Sequence, residues 1–405
     1  MLEPMAELVA LNLPGGPGYV EAIKRIWDAG NAFAPVDPRL PAAQAKKVMA
    51  ALAPTAVIEA AGDGVSATEM RSVSAGQSVD AGDALVIATS GTTGEPKAVV
   101  HTHAGVLASA VATSNELGVD PTRHRWLAVL PLAHIGGLSV VLRSILTDTP
   151  VEIHSSFDTD ATIDAARRGA THVSLVTRAL NQVPNELFET ILIGGAAPPP
   201  DRPKNVIATY GSTETGSGIV YERRALSGVD LDIADDGEVR VKGPMLFRGY
   251  SRPSDPNRPT DLPTVRAVAD PFDADGWFRT GDLGHWNDDG SLMVEGRRGD
   301  VIVSGGEKVW PAPIEAFLAT LDSIAEVALV GRPDPNWGHR VVAVVVPVNP
   351  AAPPLLDELR RLVSTEFASW SAPKELELRS ELPKTPLGKV KRGELVTTAE
   401  VTSYR

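Results

Sequence analysis

The sequence predicts an α/β protein in two parts. A large N-terminal domain of layered, mostly parallel sheets carries a small antiparallel β-barrel-like subdomain, and a small mobile α+β domain follows it. Three observations predict this. Apolar runs of strand length alternate with amphipathic stretches of helical period up to Val229, the pattern of a layered parallel domain. After Val229 the texture changes to alternating strands with tight-turn signals at Asp235-Asp236-Gly237 and Asp288-Asp289-Gly290. From Gly299 a further compact pattern of helices and strands begins, so the expected divisions are 1–298, with the barrel-like part over 229–298, and 299–405. A chain of 405 residues is long for one hydrophobic core, which agrees with more than one domain.

Taken in order, Tyr19 to Ala29 places Val20, Ile23, Ile26 and Trp27 on one helical face, with Gly30 set to stop it. A second helix is expected from Ala42 to Leu52 and a strand from Ala56 to Glu59. Ala84-Leu85-Val86-Ile87-Ala88 is an apolar run bounded by turn residues, the mark of a buried strand. Beyond it strands are expected at 126–130, 150–153, 172–176, 190–193 and 206–209. Helices are expected at 103–117, 136–146 and 160–168, with a short one after Thr177. The last domain is read as helix 313–321, strands 327–330 and 341–346, and helix 355–367. In a layered α/β domain ligands bind where loops leave the carboxyl ends of the strands.

Composition narrows the classes of function. The chain is 43% apolar and 22% charged, the profile of a folded globular protein. Its net charge of -13 argues against nucleic acid as a partner, because such binding needs a basic face. The N-terminal stretch has acids where a secretion signal needs positive charge, and no apolar run approaches bilayer length, so a cytoplasmic protein without membrane partners is expected. With no cysteine there is no disulfide, no Cys-bound zinc and no thiol nucleophile on the protein. Any thioester chemistry must use a thiol brought by a substrate.

The segment Thr89-Ser90-Gly91-Thr92-Thr93-Gly94-Glu95-Pro96-Lys97 follows the apolar run at 84–88. Gly91 and Gly94 free the backbone to turn its amides toward an anion; Ser90, Thr92 and Thr93 add hydroxyl donors, and Lys97 adds charge. Pro96 before the lysine and Ala98-Val99-Val100 after it set this loop apart from the nucleotide P-loop that opens a helix, so it is expected to join two strands. Standing alone it would read as an ordinary Gly/Thr hairpin loop.

It does not stand alone. This loop, the segment Thr209-Tyr210-Gly211-Ser212-Thr213-Glu214-Thr215, Arg279-Thr280-Gly281-Asp282, Gly296-Arg297 and Pro383-Lys384-Thr385-Pro386-Leu387-Gly388-Lys389 recur in the order found in the AMP-forming, adenylate-forming enzymes. The chain resembles that superfamily, which includes the acyl-CoA synthetases, over about residues 30 to 395. The resemblance implies ATP, Mg²⁺ and CoA as partners and a carboxylic acid as substrate. It implies that Thr89, Ser90, Gly91, Thr92, Thr93, Gly94 and Lys97 hold phosphates, and that Gly194, Gly195 and Ala196 line the adenine and acyl pocket. Tyr210, Gly211 and Ser212 lie on the adenine side, Thr213 meets the α-phosphate, and Glu214 holds Mg²⁺. Asp282 and Arg297 bind the ribose, Gly305 and Gly306 line the path of a thiol chain, and Lys389 bridges carboxylate and phosphate. The residue types suit these roles. A carboxylate is a hard oxygen ligand for Mg²⁺ and a double acceptor for a diol, and a mobile ammonium brings two anions together.

In the rest of the pocket His134 matches a ring residue that gates the acyl group. The short N-terminal region and the stretch after Glu214 resemble the ligases that activate o-succinylbenzoate, an aromatic dicarboxylate of menaquinone biosynthesis. A second carboxylate would want a cation or several donors. Arg178 is the candidate, with Ser174, Ser217 and Thr177 as weaker ones and a surface arginine as the competing reading. His101 and His103 alternate but lack a third ligand, so no metal pair is expected. Gly299, two residues past Arg297, marks the expected hinge. A homodimer, a carrier-protein thiol in place of CoA, another small aryl or acyl acid, and a non-catalytic nucleotide-binding module are alternatives that these residues leave open.

Overall fold

The structure, a computed structural model, describes residues 5–60, 68–74, 76–90, 96–195, 198, 201–251, 268–384, 390–396 and 403–404. The chain divides into two compact units: Met1–Gly195, Asp201–Leu231 and Val241–Phe278 in one, and Ala196–Pro200, Asp232–Arg240 and Arg279–Arg405 in the other.

In the first unit the apolar run at 84–88 forms the strand Asp83–Ser90, whose residues Ala84 to Ile87 are fully buried. It pairs in parallel with Ala32–Pro35, which pairs with Leu8–Asn12, which pairs with Ala56–Ala60, all parallel. Antiparallel strands close both sides: Thr68–Ser72 beside Ala56–Ala60, and Pro96–Thr102 beside Asp83–Ser90. Gly249–Ser251 and Val268–Ala269 complete this eight-stranded sheet. Residues 249–251 and 268–269 fall in the stretch assigned to the barrel-like part, where no separate strands were read for them. They sit here because the far edge of Pro96–Thr102 offers unpaired backbone groups, and Tyr250 pairs with Val99 across it. Helix Pro17–Asp28 starts two residues earlier than read from its apolar face, since Pro17 is preset for a first turn. Gly30, at φ +75°, ends that stretch as expected.

The second sheet of this unit runs Val151–Ile153, Trp126–Ala128, His172–Leu175, Thr190–Ile193, Val206–Ser212, Ser217–Tyr221 and Arg224–Ala225. The first five are parallel and the last two return antiparallel. Val206–Ser212 is longer than the apolar run predicts, because Tyr210-Gly211-Ser212 gains a partner in the returning strand, with a bulge at Tyr210/Gly211. Helices His103–Glu116, Ile135–Thr147 and Thr159–Arg167 match the predicted ones within a residue or two. Leu127, Val173, Ile191 and Val206 form a core with Ala165 and Leu180 on one face of this sheet. Burying each large aliphatic side chain there is worth about 1.5–3 kcal/mol. The loops at the carboxyl ends of the parallel strands are thereby fixed side by side.

The second unit holds most of a four-stranded sheet, Asp230–Ile233, Glu238–Lys242, Phe278–Trp286 and Leu292–Arg297. Its turns fall where Asp-Asp-Gly predicts them: Gly237 (φ +81°) and Gly290 (φ +74°) take the left-handed position. The α+β part centres on the hairpin of Ile324–Asp334 with Gly338–Pro347, packed on helices Pro311–Leu318 and Leu356–Glu366 through Leu329, Val341, Val345, Ile314 and Leu359. Buried Arg332 pairs with Glu375 and Glu377 and donates to the Leu395 carbonyl, tying the C-terminal segment to the hairpin. Among the described residues no helix is long and apolar enough to cross a membrane.

Candidate functional site

The segment 89–97 connects two antiparallel strands, as its flanking residues predict. Thr89 pairs with Lys97 and Ser90 with Pro96 at the open end of the hairpin. Gly91, Thr92, Thr93 and Gly94 lie outside the described residues. Lys97 is exposed, and its Nζ stands 5.2 Å from the centroid of the Tyr250 ring. The Tyr250 hydroxyl donates to Glu214 Oε1 at 2.9 Å. Lys97 and Glu214, 117 positions apart in the numbering, are therefore linked through one aromatic ring. Tyr250 went unnoticed in the sequence because its three-residue strand is too short to show a period.

Glu214 lies in the tight connection between Val206–Ser212 and Ser217–Tyr221, and three bonds fix that connection. Its own carbonyl accepts from the Phe247 amide at 2.8 Å, and the Gly216 amide donates to the Thr213 carbonyl at 3.1 Å. The Thr215 hydroxyl donates within the turn, to the Ser217 carbonyl at 2.7 Å. The Thr213 carbonyl also accepts from His101, whose Nε2 is 2.7 Å away. A carbonyl can only accept, so His101 carries its proton on Nε2. Complete burial pushes its pKa from 6.5 down to about 4. His101 is thus a neutral prop beneath Thr213. One half-buried carboxylate held this way is the donor set Mg²⁺ needs when phosphates supply the remaining oxygens. Among the described residues no cluster of three or more His, Cys, Asp or Glu is placed to hold a metal by itself.

On Val206–Ser212 itself the Thr209 hydroxyl donates at 3.0 Å to the carbonyl of Ile193, on the neighbouring parallel strand. That contact draws Gly194 against Thr209; a Cβ on Gly194 would come within 2.7 Å of Thr209 Oγ1. Gly194, Gly195 (φ +82°), half-buried Tyr210, Gly211 and Ser212 consequently share one end of the sheet. Ala196 lies outside the described residues. His134 occupies the N-cap position of helix Ile135–Thr147, with no side-chain capping bond. Its pKa is lowered by burial, with opposing influences from Asp37 and Arg39, so it is neutral at pH 7.

Ser174 is buried in its strand, whereas Arg178 is exposed on the short helix Thr177–Leu180. A different arginine is buried. Arg143, on helix Ile135–Thr147, is 2% exposed. Its Nη2 donates to Ser217 Oγ at 2.9 Å and to Ser139 Oγ at 3.1 Å, and its guanidinium stands 5.2 Å from the Trp126 ring. Nε and Nη1 have no hydrogen-bond partner among the described residues, and desolvation lowers its pKa. Sequence reasoning missed Arg143, although one charge inside Val140-Val141-Leu142-Arg143-Ser144-Ile145-Leu146 is an available signal.

In the second unit Asp282 and Arg297 are cross-strand partners, and Arg297 Nε lies 2.8 Å from Asp282 Oδ1. Gly281 (φ +76°) lies within strand Phe278–Trp286 just before Asp282, and its amide donates to Glu238 at 2.8 Å. Glu238 also accepts from Arg279 at 2.5 Å and from Arg298 at 3.1 Å. Glu238, unflagged by sequence, organises the strand ends around Asp282. Gly305 and Gly306, at φ +63° and +86°, form the exposed turn of Ile302–Ser304 with Glu307–Val309, and a Cβ on Gly305 would strike the Trp337 ring at 2.7 Å. Lys389 lies outside the described residues. Lys384 and Val390, on either side of it, form an antiparallel bridge.

With this geometry in place the chain was compared with known proteins. The AMP-binding enzyme family matches residues 5–251, and the AMP-binding enzyme C-terminal domain matches residues 313–389. A 2-succinylbenzoate--CoA ligase from Listeria monocytogenes is 34% identical over 343 residues, covering 77% of this chain and 69% of the relative. A probable 2-succinylbenzoate--CoA ligase from Mycobacterium tuberculosis is 36% identical over 344 residues, covering 79% of this chain and 86% of the relative. The o-succinylbenzoate CoA synthetase from Bacillus subtilis, solved with the acyl-adenylate intermediate OSB-AMP, superposes with a TM-score of 0.80 at 25% identity over 98% of this chain and 89% of that one. The same synthetase has been solved with ATP and a magnesium ion, TM-score 0.77 at 25% identity, covering 97% and 90%. By these matches, and by the fold that they share, the chain belongs to the family of AMP-binding enzymes.

Proposed function

We propose that this protein is an AMP-forming acid–thiol ligase that converts o-succinylbenzoate, MgATP and CoA into o-succinylbenzoyl-CoA, AMP and pyrophosphate. The observation that carries this reading is the Lys97–Tyr250–Glu214 constellation at the mouth of a hydroxyl- and glycine-rich hairpin. It brings Lys97, which would hold phosphate, and Glu214, which would hold magnesium, within one side chain of each other, and the relatives named above are ligases of this acid.

In the first half-reaction a carboxylate oxygen attacks the α-phosphorus, and pyrophosphate leaves as the acyl-AMP anhydride forms. Lys97 and the hydroxyls of Thr92 and Thr93 hold the departing phosphates, Glu214 holds the Mg²⁺ of MgATP, and Thr213 meets the α-phosphate. Mg²⁺ offsets phosphate charge as it builds. Asp282 and Arg297 take the ribose, and Tyr210 with Gly194 and Gly195 takes the base. Lys389 brings the two reacting anions together. In the second half-reaction the thiolate of CoA attacks the acyl carbon and AMP departs with the original carboxylate oxygen. For this step the part of the chain beyond Gly299 turns, withdraws Lys389 and brings Gly305 and Gly306 alongside the thiol arm. Gly299 suits a hinge: nothing lies within 4 Å of the Cβ it lacks.

Magnesium-dependent pyrophosphate release tests the reading. The protein with MgATP and o-succinylbenzoate should release pyrophosphate, and CoA should turn the burst into steady turnover; no release with this acid would overturn the assignment.

A further inference from the structure

Tyr250 makes two contacts to which the reaction above gives no part. Its hydroxyl donates to Glu214 Oε1 at 2.9 Å, and its ring face receives the Lys97 ammonium at 5.2 Å from the centroid. A carboxylate and an ammonium free to reach each other would pair directly, and such a pair would withhold one from a metal and the other from a phosphate. Here each is held instead by a different part of one neutral side chain. Both contacts leave room for a ligand: a carboxylate that accepts a hydroxyl proton on Oε1 keeps Oε2, and an ammonium over a ring keeps its N–H groups.

The ring itself is fixed on every side by the chain around it. Tyr250 is half-buried in strand Gly249–Ser251, where it pairs with Val99, two residues past Lys97 on the neighbouring strand. It meets buried Phe247 edge-on, with centroids 4.9 Å apart and planes at 69°, and Phe247 meets Phe278 at 5.0 Å. The Phe247 amide donates to the Glu214 carbonyl at 2.8 Å, so residues 247 and 250 grip Glu214 by backbone and by side chain. Between them Arg248 pairs with Asp80 at 2.6 Å and with buried Asp83 at 2.7 Å, and Asp83 opens the strand that leads into segment 89–97. The Arg248 amide donates to the Val100 carbonyl on the Lys97 strand at 2.7 Å. Residues 247–250 thus form a brace fastened at one end to Glu214 and at the other to the strands that carry Lys97.

We propose that Tyr250 is a positioning residue for adenylation: its hydroxyl fixes Glu214 with Oε2 left for Mg²⁺, and its ring keeps the Lys97 ammonium unpaired for the phosphates. Metal ligand and phosphate cation then meet MgATP as one spaced unit instead of as an ion pair with each other. The proposal rests on the ligase reading above only for its nucleotide, MgATP.

The test is calorimetric titration of ATP into the full chain at a series of Mg²⁺ concentrations and in EDTA, beside thermal melting. Tyr250→Phe removes the hydroxyl and keeps the ring. It should raise the Mg²⁺ concentration for half-maximal tightening of ATP by about 10- to 100-fold, the loss usual for a residue that orients a metal ligand, while ATP affinity in EDTA stays that of wild type. Tyr250→Leu removes the ring as well and should also weaken ATP in EDTA, by about 3- to 10-fold, because Lys97 is then captured by Glu214. Adding Glu214→Gln to Tyr250→Leu should restore that metal-free affinity by more than the same change does beside an intact Tyr250, a rescue that a merely structural tyrosine does not allow. If the leucine variant does not melt as a folded protein, Tyr250→Phe decides alone. An unchanged Mg²⁺ requirement in Tyr250→Phe, or equal loss of ATP with and without Mg²⁺, overturns the inference. Should wild type bind MgATP yet release no pyrophosphate with o-succinylbenzoate, the ligase reading fails and the titrations still decide the role of Tyr250; should wild type bind no ATP, both fail.

Discussion

At the scale of single residues, the site is built from neutral props around a few charges. His101 shows how. Burial holds it uncharged with a pKa of about 4, where an unfolded chain would have 6.5. Between those two values the unfolded state binds the proton and the folded state does not, so stability falls as pH drops through the window and is fully present above it. By pH 5 the cost is about 2 kcal/mol. His101→Gln, which can still donate to the Thr213 carbonyl, should therefore lose about 2 kcal/mol less than wild type between pH 7.5 and pH 5 in urea unfolding. Parallel pH curves for the two proteins would show that His101 is not buried as a neutral ring. Motif residues were legible because their chemistry is local: Lys97, Glu214 and Asp282 are typed by the anion, cation or diol each would meet. Tyr250 and Arg143 were not, since what marks them is contact across 36 and 74 positions of chain. Only the fold supplies that.

At the scale of elements, strand and helix existence followed from apolar period, while lengths followed from pairing. The run at 206–209 grew to Ser212 only because Ser217–Tyr221 turns back along it. Likewise the strands read at 327–330 and 341–346 extend to Ile324–Asp334 and Gly338–Pro347 because each supplies the other's hydrogen bonds. The two short strands near 250 and 268 have too few residues for a period, and an open sheet edge decided their place. The Lys389 segment carries its own expectation. Lys389→Ala should abolish acyl-AMP formation, yet leave thioester formation from supplied acyl-AMP within about an order of magnitude of wild type, because the lysine acts only where two anions meet. Equal loss of both half-reactions would remove it from that role.

At the scale of the whole molecule, the chain solves a problem of sequence in time. In the reaction proposed above the same carbon meets first a lysine-assisted phosphate and later a thiol, and no cysteine of the protein can mediate between them. A covalent mixed anhydride with AMP meets both demands, with the thiol borrowed from CoA. The most direct measurement follows one oxygen atom. With both carboxylates of o-succinylbenzoate fully labelled with ¹⁸O, and with MgATP and CoA, mass spectrometry of the products should find a single ¹⁸O in AMP and none in pyrophosphate. Label appearing in inorganic phosphate together with ADP, or AMP formed without label, would contradict adenylation of the acid.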